Sequence, residues 1–161
     1  MGQYRTSRNF EASVVDYIEE KLAETGSGWD NVRVEKTFAN VYDEDLPCIC
    51  IRCGITDHTR AEIGGTSTYR NANILIDLFC TSDGQRLDLK DWLIATLKDG
   101  LTYYNYTISG GAVDTKIADG RINVLTIEDT PIDFDLDKEK LSVEDRYRHL
   151  LTLSVTLGKV E

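Results

Sequence analysis

Proline is nearly absent from this chain: Pro47 and Pro131 are the only two in 161 residues. A backbone so rarely interrupted is free to build long ladders and helices. Positive charge is also scarce, with 18 basic against 28 acidic residues and a formal net charge of −10. A protein that grips phosphate backbones needs the opposite balance, at least over a patch. The basic residues are instead scattered, Arg5 and Arg8 near the start and Arg146 and Arg148 near the end. Specific binding of nucleic acid is therefore not expected, and an acidic body suits solubility, repulsion of DNA or a basic partner. No stretch approaches the roughly 18–20 apolar residues of a membrane span. The opening MGQYRTSRNF lacks the apolar core of a signal peptide, and Gly2 comes without a second membrane anchor. The expectation is that the chain stays in the compartment where it is made.

What is present is enough for a fold. Hydrophobic residues make up 41% and aromatics 9%, a composition that can bury a core in one domain spanning residues 1–161. Phe10, Val14, Ile18 and Leu22 recur every four residues and predict an amphipathic helix, with Ser7 or Asn9 as its cap and Gly26 past its end. A short strand is expected at Val32–Lys36 and a connection over Thr37–Leu46. In Pro47–Ile55, Ile49, Ile51, Cys53 and Ile55 alternate with Cys48, Cys50 and Arg52, which is the period of a half-buried strand. Asp57–Thr68 reads as the loop of a projecting hairpin. The chain returns as Tyr69–Thr81, with Ile74, Ile76, Leu78 and Cys80 on one face and Leu75, Asp77 and Phe79 on the other. Ser82-Asp83 then caps a second helix lined by Leu89, Leu93 and Leu97 and ended by Gly100. Tyr103, Tyr104, Tyr106 and Gly110-Gly111 suggest a short strand or an ordered loop. A strand follows at Arg121–Asp129, an exposed excursion at Thr130–Ser142, and a last strand in which Tyr147, His149, Leu151, Leu153, Val155 and Leu157 alternate with Arg148, Leu150, Thr152, Ser154 and Thr156. This order favours an α+β fold: a mixed, mostly antiparallel sheet with two amphipathic helices on one face and a projecting hairpin.

Candidate chemistry is sparse. Cys50 and Cys53 have the spacing of a zinc knuckle, but knuckles come from turns. On a strand Cys48 and Cys50 share one face and Cys53 points to the other, so the three thiolates cannot share one ion. Buried free thiols are the preferred reading; a small metal-binding domain or enzyme built on Cys48, Cys50, Cys53 and His58 is the rival from another class. His58 lies in a polar segment and His149 on a strand's apolar face, and neither adjoins a nucleophile motif. Asp133, Asp135 and Asp137 alternate like calcium ligands, but Lys138 stands where such a loop needs Gly. Gly64-Gly65 and Gly110-Gly111 match no phosphate-binding pattern and read as turns. No catalytic residue, cofactor or metal is therefore expected, and the chain is not read as an enzyme.

The order and pattern of these pieces resemble a family. An amphipathic helix (Phe10–Leu22) leads to a strand after a Leu-Pro step, Leu46-Pro47-Cys48-Ile49-Cys50-Ile51. A loop with Glu62 and Gly64-Gly65 precedes the long strand from Tyr69-Arg70-Asn71. A helix opens Asp83-Gly84-Gln85-Arg86-Leu87, and Arg146-Tyr147-Arg148-His149-Leu150-Leu151 closes the set. Across nearly the whole chain, most loosely over 101–142, this resembles the tail terminator, or tail-completion, proteins of long-tailed bacteriophages. The resemblance implies a structural virion protein, made in the host cytoplasm, that forms a six-membered ring. Such a ring caps the head-proximal end of the tail tube, stops its polymerisation and joins the head-completion complex. The partners implied are copies of itself, the tail tube protein and the head-completion (stopper) protein. DNA would pass through the ring without specific binding, and no membrane is involved. On this reading His58, Arg60, Glu62, Tyr69 and Arg70 are candidates for subunit or tube contact. Asp43, Glu44, Asp45, Asp133, Asp135 and Asp137 are candidates for a lumen-facing acidic lining. A head-completion or other neck protein is the alternative within the same machinery, and an acidic host-interaction module a further one.

Overall fold

Phe10, Val14, Val15, Ile18 and Leu22 fall on one stripe of a helix and cannot be left in water, and they form the buried side of α1 (Thr6–Ala23). In the computed structural model, which describes residues 5–161, α1 starts after Arg5 without a side-chain cap. The expected caps do not form: Ser7 and Asn9 lie inside the helix, and buried Asn9 donates through Nδ2 to Asn105 Oδ1 at 3.0 Å. Gly2 lies outside the described residues. Among them, no helix is long and apolar enough to cross a membrane.

The remaining elements are β1 (Arg33–Glu35), α2 (Phe38–Val41), β2 (Cys48–Arg60), β3 (Thr68–Cys80), α3 (Asp83–Leu97), β4 (Leu101–Ser109), β5 (Ala112–Ile132) and β6 (Tyr147–Leu157). The chain is thus α+β, with a six-stranded, mixed, mostly antiparallel, curled sheet in the order β1-β2-β3-β6-β5-β4. Only β1 and β2 run parallel. Both long helices share one core cluster with Ile49, Ile51, Ile74, Ile76, Leu151 and Leu153, so they cover the same face. Each large side chain buried there is worth about 1.5–3 kcal/mol. The other face is covered near one end by α2, where Val41 packs with Cys48, Cys50 and Phe79.

The curl has a visible consequence. In a flat sheet β2 and β4 would lie about 19 Å apart, further than the roughly 10–12 Å width of a helix. Yet α1 touches the outer edge of both. Glu11 Oε2 accepts from the Cys53 backbone N–H at 3.0 Å, and Ser13 Oγ accepts from that of Tyr104 at 2.9 Å. The sheet wraps α1, and two α1 side chains cap its two edges.

Several expectations are corrected. The strand expected at Val32–Lys36 shrinks to Arg33–Glu35, and the connection after it contains α2. The Asp57–Thr68 loop reduces to residues 61–67, because β2 continues to Arg60 and β3 starts at Thr68, with Arg60 opposite Thr68. The segment 101–120 is two paired strands rather than one short strand or a loop. Gly110 and Gly111, both at positive φ, make the two-residue turn that joins Ser109 to Ala112. The strand expected at Arg121–Asp129 is the second part of the 21-residue β5, so the excursion begins only after Ile132. The cap at Ser82 forms as expected: its Oγ accepts from Gln85 N–H at 3.2 Å.

Candidate functional site

Strand direction sorts the candidate residues to two ends of the sheet. β2 and β6 begin, and β3 and β5 end, at the end that carries Cys48, Cys80, Ile132 and Tyr147. The hairpin tips at 61–67 and 110–111 leave the opposite end, where Leu157 pairs with Ile122 and Glu161 bonds Thr68 through backbone groups. The two hairpins are therefore two arms extending the same way from one body.

The first arm holds His58, Arg60, Glu62, Tyr69 and Arg70. His58 faces Arg70, and Thr59 faces Tyr69 across the ladder. His58, Arg60, Glu62 and Tyr69 are exposed. Arg60 folds back to donate to the Gly65 carbonyl inside the tip. Arg70 differs from the others. Its guanidinium grips the Glu161 carboxylate at 2.8 and 3.2 Å and donates to Ser7 Oγ at 2.9 Å, leaving the side chain 15% exposed. It ties the arm's root to the chain's last residue and to α1. Apolar side chains complete the arm: Ile55 is 80% exposed and Ile63 fully so.

The second arm was not legible as a site. Val113 and Ile117 of β5 are exposed too, though less than Ile55, at 60% and 62%. Its root is held to α1, where Lys116 lies 3.3 Å from Asp16 and packs on the Tyr104 ring. Tyr106 donates to Asp16 at 2.6 Å, and burial first, then that bond, raises its phenol pKa. The alternation Val113, Thr115, Ile117 around Asp114 and Lys116, straight after Gly-Gly, is the sequence signal that marks this strand.

The acidic candidates gather at the opposite end. Asp43, Glu44 and Asp45 lie between α2 and β2, and Asp133, Asp135 and Asp137 follow β5. Tyr42, next to the first segment, donates through Oη to Asp145 Oδ1 at 3.3 Å, which ties that segment to the turn before β6. Asp133 accepts from the backbone N–H of Asp135, which holds a left-handed φ of 55°, and Asp137 pairs with Lys140. All six are exposed except the half-buried Glu44.

Beneath them sits a network that the sequence did not mark as a unit. Asp77, 3% exposed, receives Arg52 at 3.1 Å and Arg148 at 3.3 Å, and Arg148 also reaches Asp145 at 3.3 Å. Arg52 lies over the Phe38 ring at 4.4 Å and Arg148 over Phe79 at 4.6 Å. The Nε atoms of both arginines are buried without a hydrogen-bond partner; the aromatic faces beside them stand in for part of the lost hydration. This is a structural clamp joining β2, β3 and β6.

The thiols and imidazoles that could carry chemistry are kept apart. Cys48 and Cys50 pack with Phe79 and Val41 on one face, whereas Cys53 lies against the main core on the other. Burial pushes the thiols up, to about 12 for Cys48 and Cys80 and about 11 for Cys50. Among the described residues no group of His, Cys, Asp and Glu is arranged to hold a metal. His149 is 2% exposed, with Nδ1 2.6 Å from Arg86 Nη1 and Nε2 2.8 Å from Asp129 Oδ1. An arginine can only donate, so Nδ1 is the acceptor and the imidazole is neutral, giving its one proton to Asp129. Burial holds its pKa below 6.5, and the bond from His149 lowers that of Asp129.

No protein-family model matches the chain, and no curated protein matches it.

Proposed function

We propose that this chain is a structural subunit of a long-tailed bacteriophage, a tail terminator that assembles into a ring on the head-proximal end of the tail tube. In this reading the ring stops tube polymerisation and presents a surface to the head-completion protein. The protein works in the virion after synthesis in the host cytoplasm, and it has no catalytic role. DNA crosses the ring without being specifically held.

The observation that carries the reading is the two-ended build of the subunit. Two hairpin arms with exposed Ile55, Ile63, Val113 and Ile117 leave one end. The other end is closed by a clamp and rimmed by acidic loops, which also expose Tyr42, Phe134, Leu136 and Val143. Exposed apolar side chains mark a protein contact where they form one patch, and in this reading neighbouring copies bring those of the two arms together. A net charge of −10 per subunit makes any ring of such chains repel DNA from its wall. The chain-long resemblance of element order to tail terminators supplies the specific assembly.

The test is capping. Tail tube protein polymerising in the presence of this chain should give tubes of limited length, with the chain at one end. Tubes of unchanged length and bare ends overturn the reading.

A further inference from the structure

The sheet has two outer strands, and neither is covered along its length. β1 pairs with only Cys48–Cys50 of β2, so β3 is the one strand beside the rest of β2. On the far side β4 has β5 alone as its neighbour. α1 caps one point on each edge, at Cys53 and at Tyr104. Past those points, Gly54–Arg60 and Asn105–Ser109 run out along the two arms with no second strand beside them among the described residues.

An open edge is a template for pairing, and proteins that keep to themselves usually blunt such edges with charge, proline or a covering element. Along its arm β4 carries neither charge nor proline, and the side chains of α1 reach it only at the root, Asn9 at Asn105 and Asp16 at Tyr106. Its whole sequence, Leu-Thr-Tyr-Tyr-Asn-Tyr-Thr-Ile-Ser, contains no charged residue and no proline, in a chain that is 29% charged. Tyrosine, threonine and isoleucine are also strong strand formers. The composition suits an edge that is meant to be paired.

We propose that the outer edge of β4, over Asn105–Ser109, pairs with the outer edge of β2, over Ile55–Arg60, in a second copy of this chain. The two segments extend about 17 and 20 Å, so one can lie along the other for its full length. They lie on opposite sides of the sheet order, which makes the contact head-to-tail: each copy gives β4 to one neighbour and β2 to the other. Such a contact continues the sheet from subunit to subunit, and it closes into a ring when the rotation per copy permits. It also brings the exposed Ile55 of one arm beside the Val113 and Ile117 arm of its neighbour. This inference rests on the reading that the chain assembles with copies of itself, and names the surfaces through which it does so.

Disulfide trapping tests it. Thr59→Cys and Thr107→Cys place single thiols on exposed positions of the two edges, and the native cysteines are buried or half-buried. Under mild oxidation, a mixture of the two variants should shift to a band at twice the 18.2 kDa chain mass. Each variant alone should not. Dimers of Thr107→Cys alone, formed as readily, would show a symmetric β4 contact and overturn the head-to-tail pairing. Ring-sized particles that give no cross-link with Thr107→Cys or Ser109→Cys would overturn the edge pairing and leave ring assembly standing. A monomer under all conditions, with or without tube protein, overturns both.

Discussion

At the closed end of the sheet the buried charged groups are paired within the chain, with the Nε atoms of Arg52 and Arg148 left without a partner. Asp77 meets Arg52 and Arg148, and His149 sits between Arg86 and Asp129. At the arm end the strands run past the core, and Ile55, Ile63, Val113 and Ile117 are largely exposed. The buried centre of the closed end gains its stability from contacts already made, while its rim holds out Tyr42, Phe134, Leu136 and Val143. The arm end has strand edges and apolar side chains that an isolated subunit does not use. On the proposed assembly, folding and association fall to different ends, so mutations should separate them.

The largest effect is expected from the clamp. Asp77→Ala leaves two guanidinium groups beside aromatic rings with no carboxylate between them, and should cost roughly 3 kcal/mol in urea unfolding. A loss below the error of the measurement would break the comparison at its stronger side. Next is the helix cap at the same end. Ser82→Ala removes the acceptor for the Gln85 N–H and should cost about 1 kcal/mol.

His149 sharpens the comparison through pH. Its folded-state pKa lies below the ordinary 6.5 because of burial, so on acidification the unfolded chain takes up the proton first. Its contribution is complete above about pH 6.5 and falls as pH drops below that value. His149→Gln offers an oxygen to Arg86 and an N–H to Asp129, and should flatten this part of the stability–pH curve while changing neutral-pH stability little. An unchanged slope would mean that the neutral imidazole is not the acid-sensitive group.

The smallest effect on the subunit itself belongs to the arm. Ile63→Ser replaces a fully exposed side chain and should alter unfolding by less than about 0.5 kcal/mol. Its effect should appear in assembly, as a lower particle mass at the same protein concentration. Destabilisation on the scale of the clamp variant would mean that the arm belongs to the folding core.

Which parts were legible in the sequence follows from where the two periodicities survive. Phe10, Val14, Ile18 and Leu22 announce α1, and Ile74, Ile76 and Leu78 announce β3, because each element buries one side. The alternation is absent from Asp57–Arg60 and limited to Val113, Thr115 and Ile117 in Ala112–Gly120, because the arms are exposed on both faces, so strands there look like loops. β4 is obscured differently: Leu101, Tyr103 and Tyr106 are its buried residues, so the period of two breaks between Tyr103 and Tyr106. α2 is only four residues long and sits among polar neighbours. The candidate residues of the first arm were placed correctly on a hairpin, yet the role of Arg70 as a tie to Glu161 depends on a contact 91 positions away. The clamp on Asp77 is likewise built from partners 25 and 71 residues distant. Local patterns find elements; they do not find such pairs.

The central claim is that the arms exist to join copies of this chain on a tail tube. Its most direct test is particle mass in solution, for the chain alone and mixed with tail tube protein. The account predicts a closed multimer of the 18.2 kDa subunit, formed alone or on the end of the tube. A subunit that stays monomeric under both conditions would contradict it.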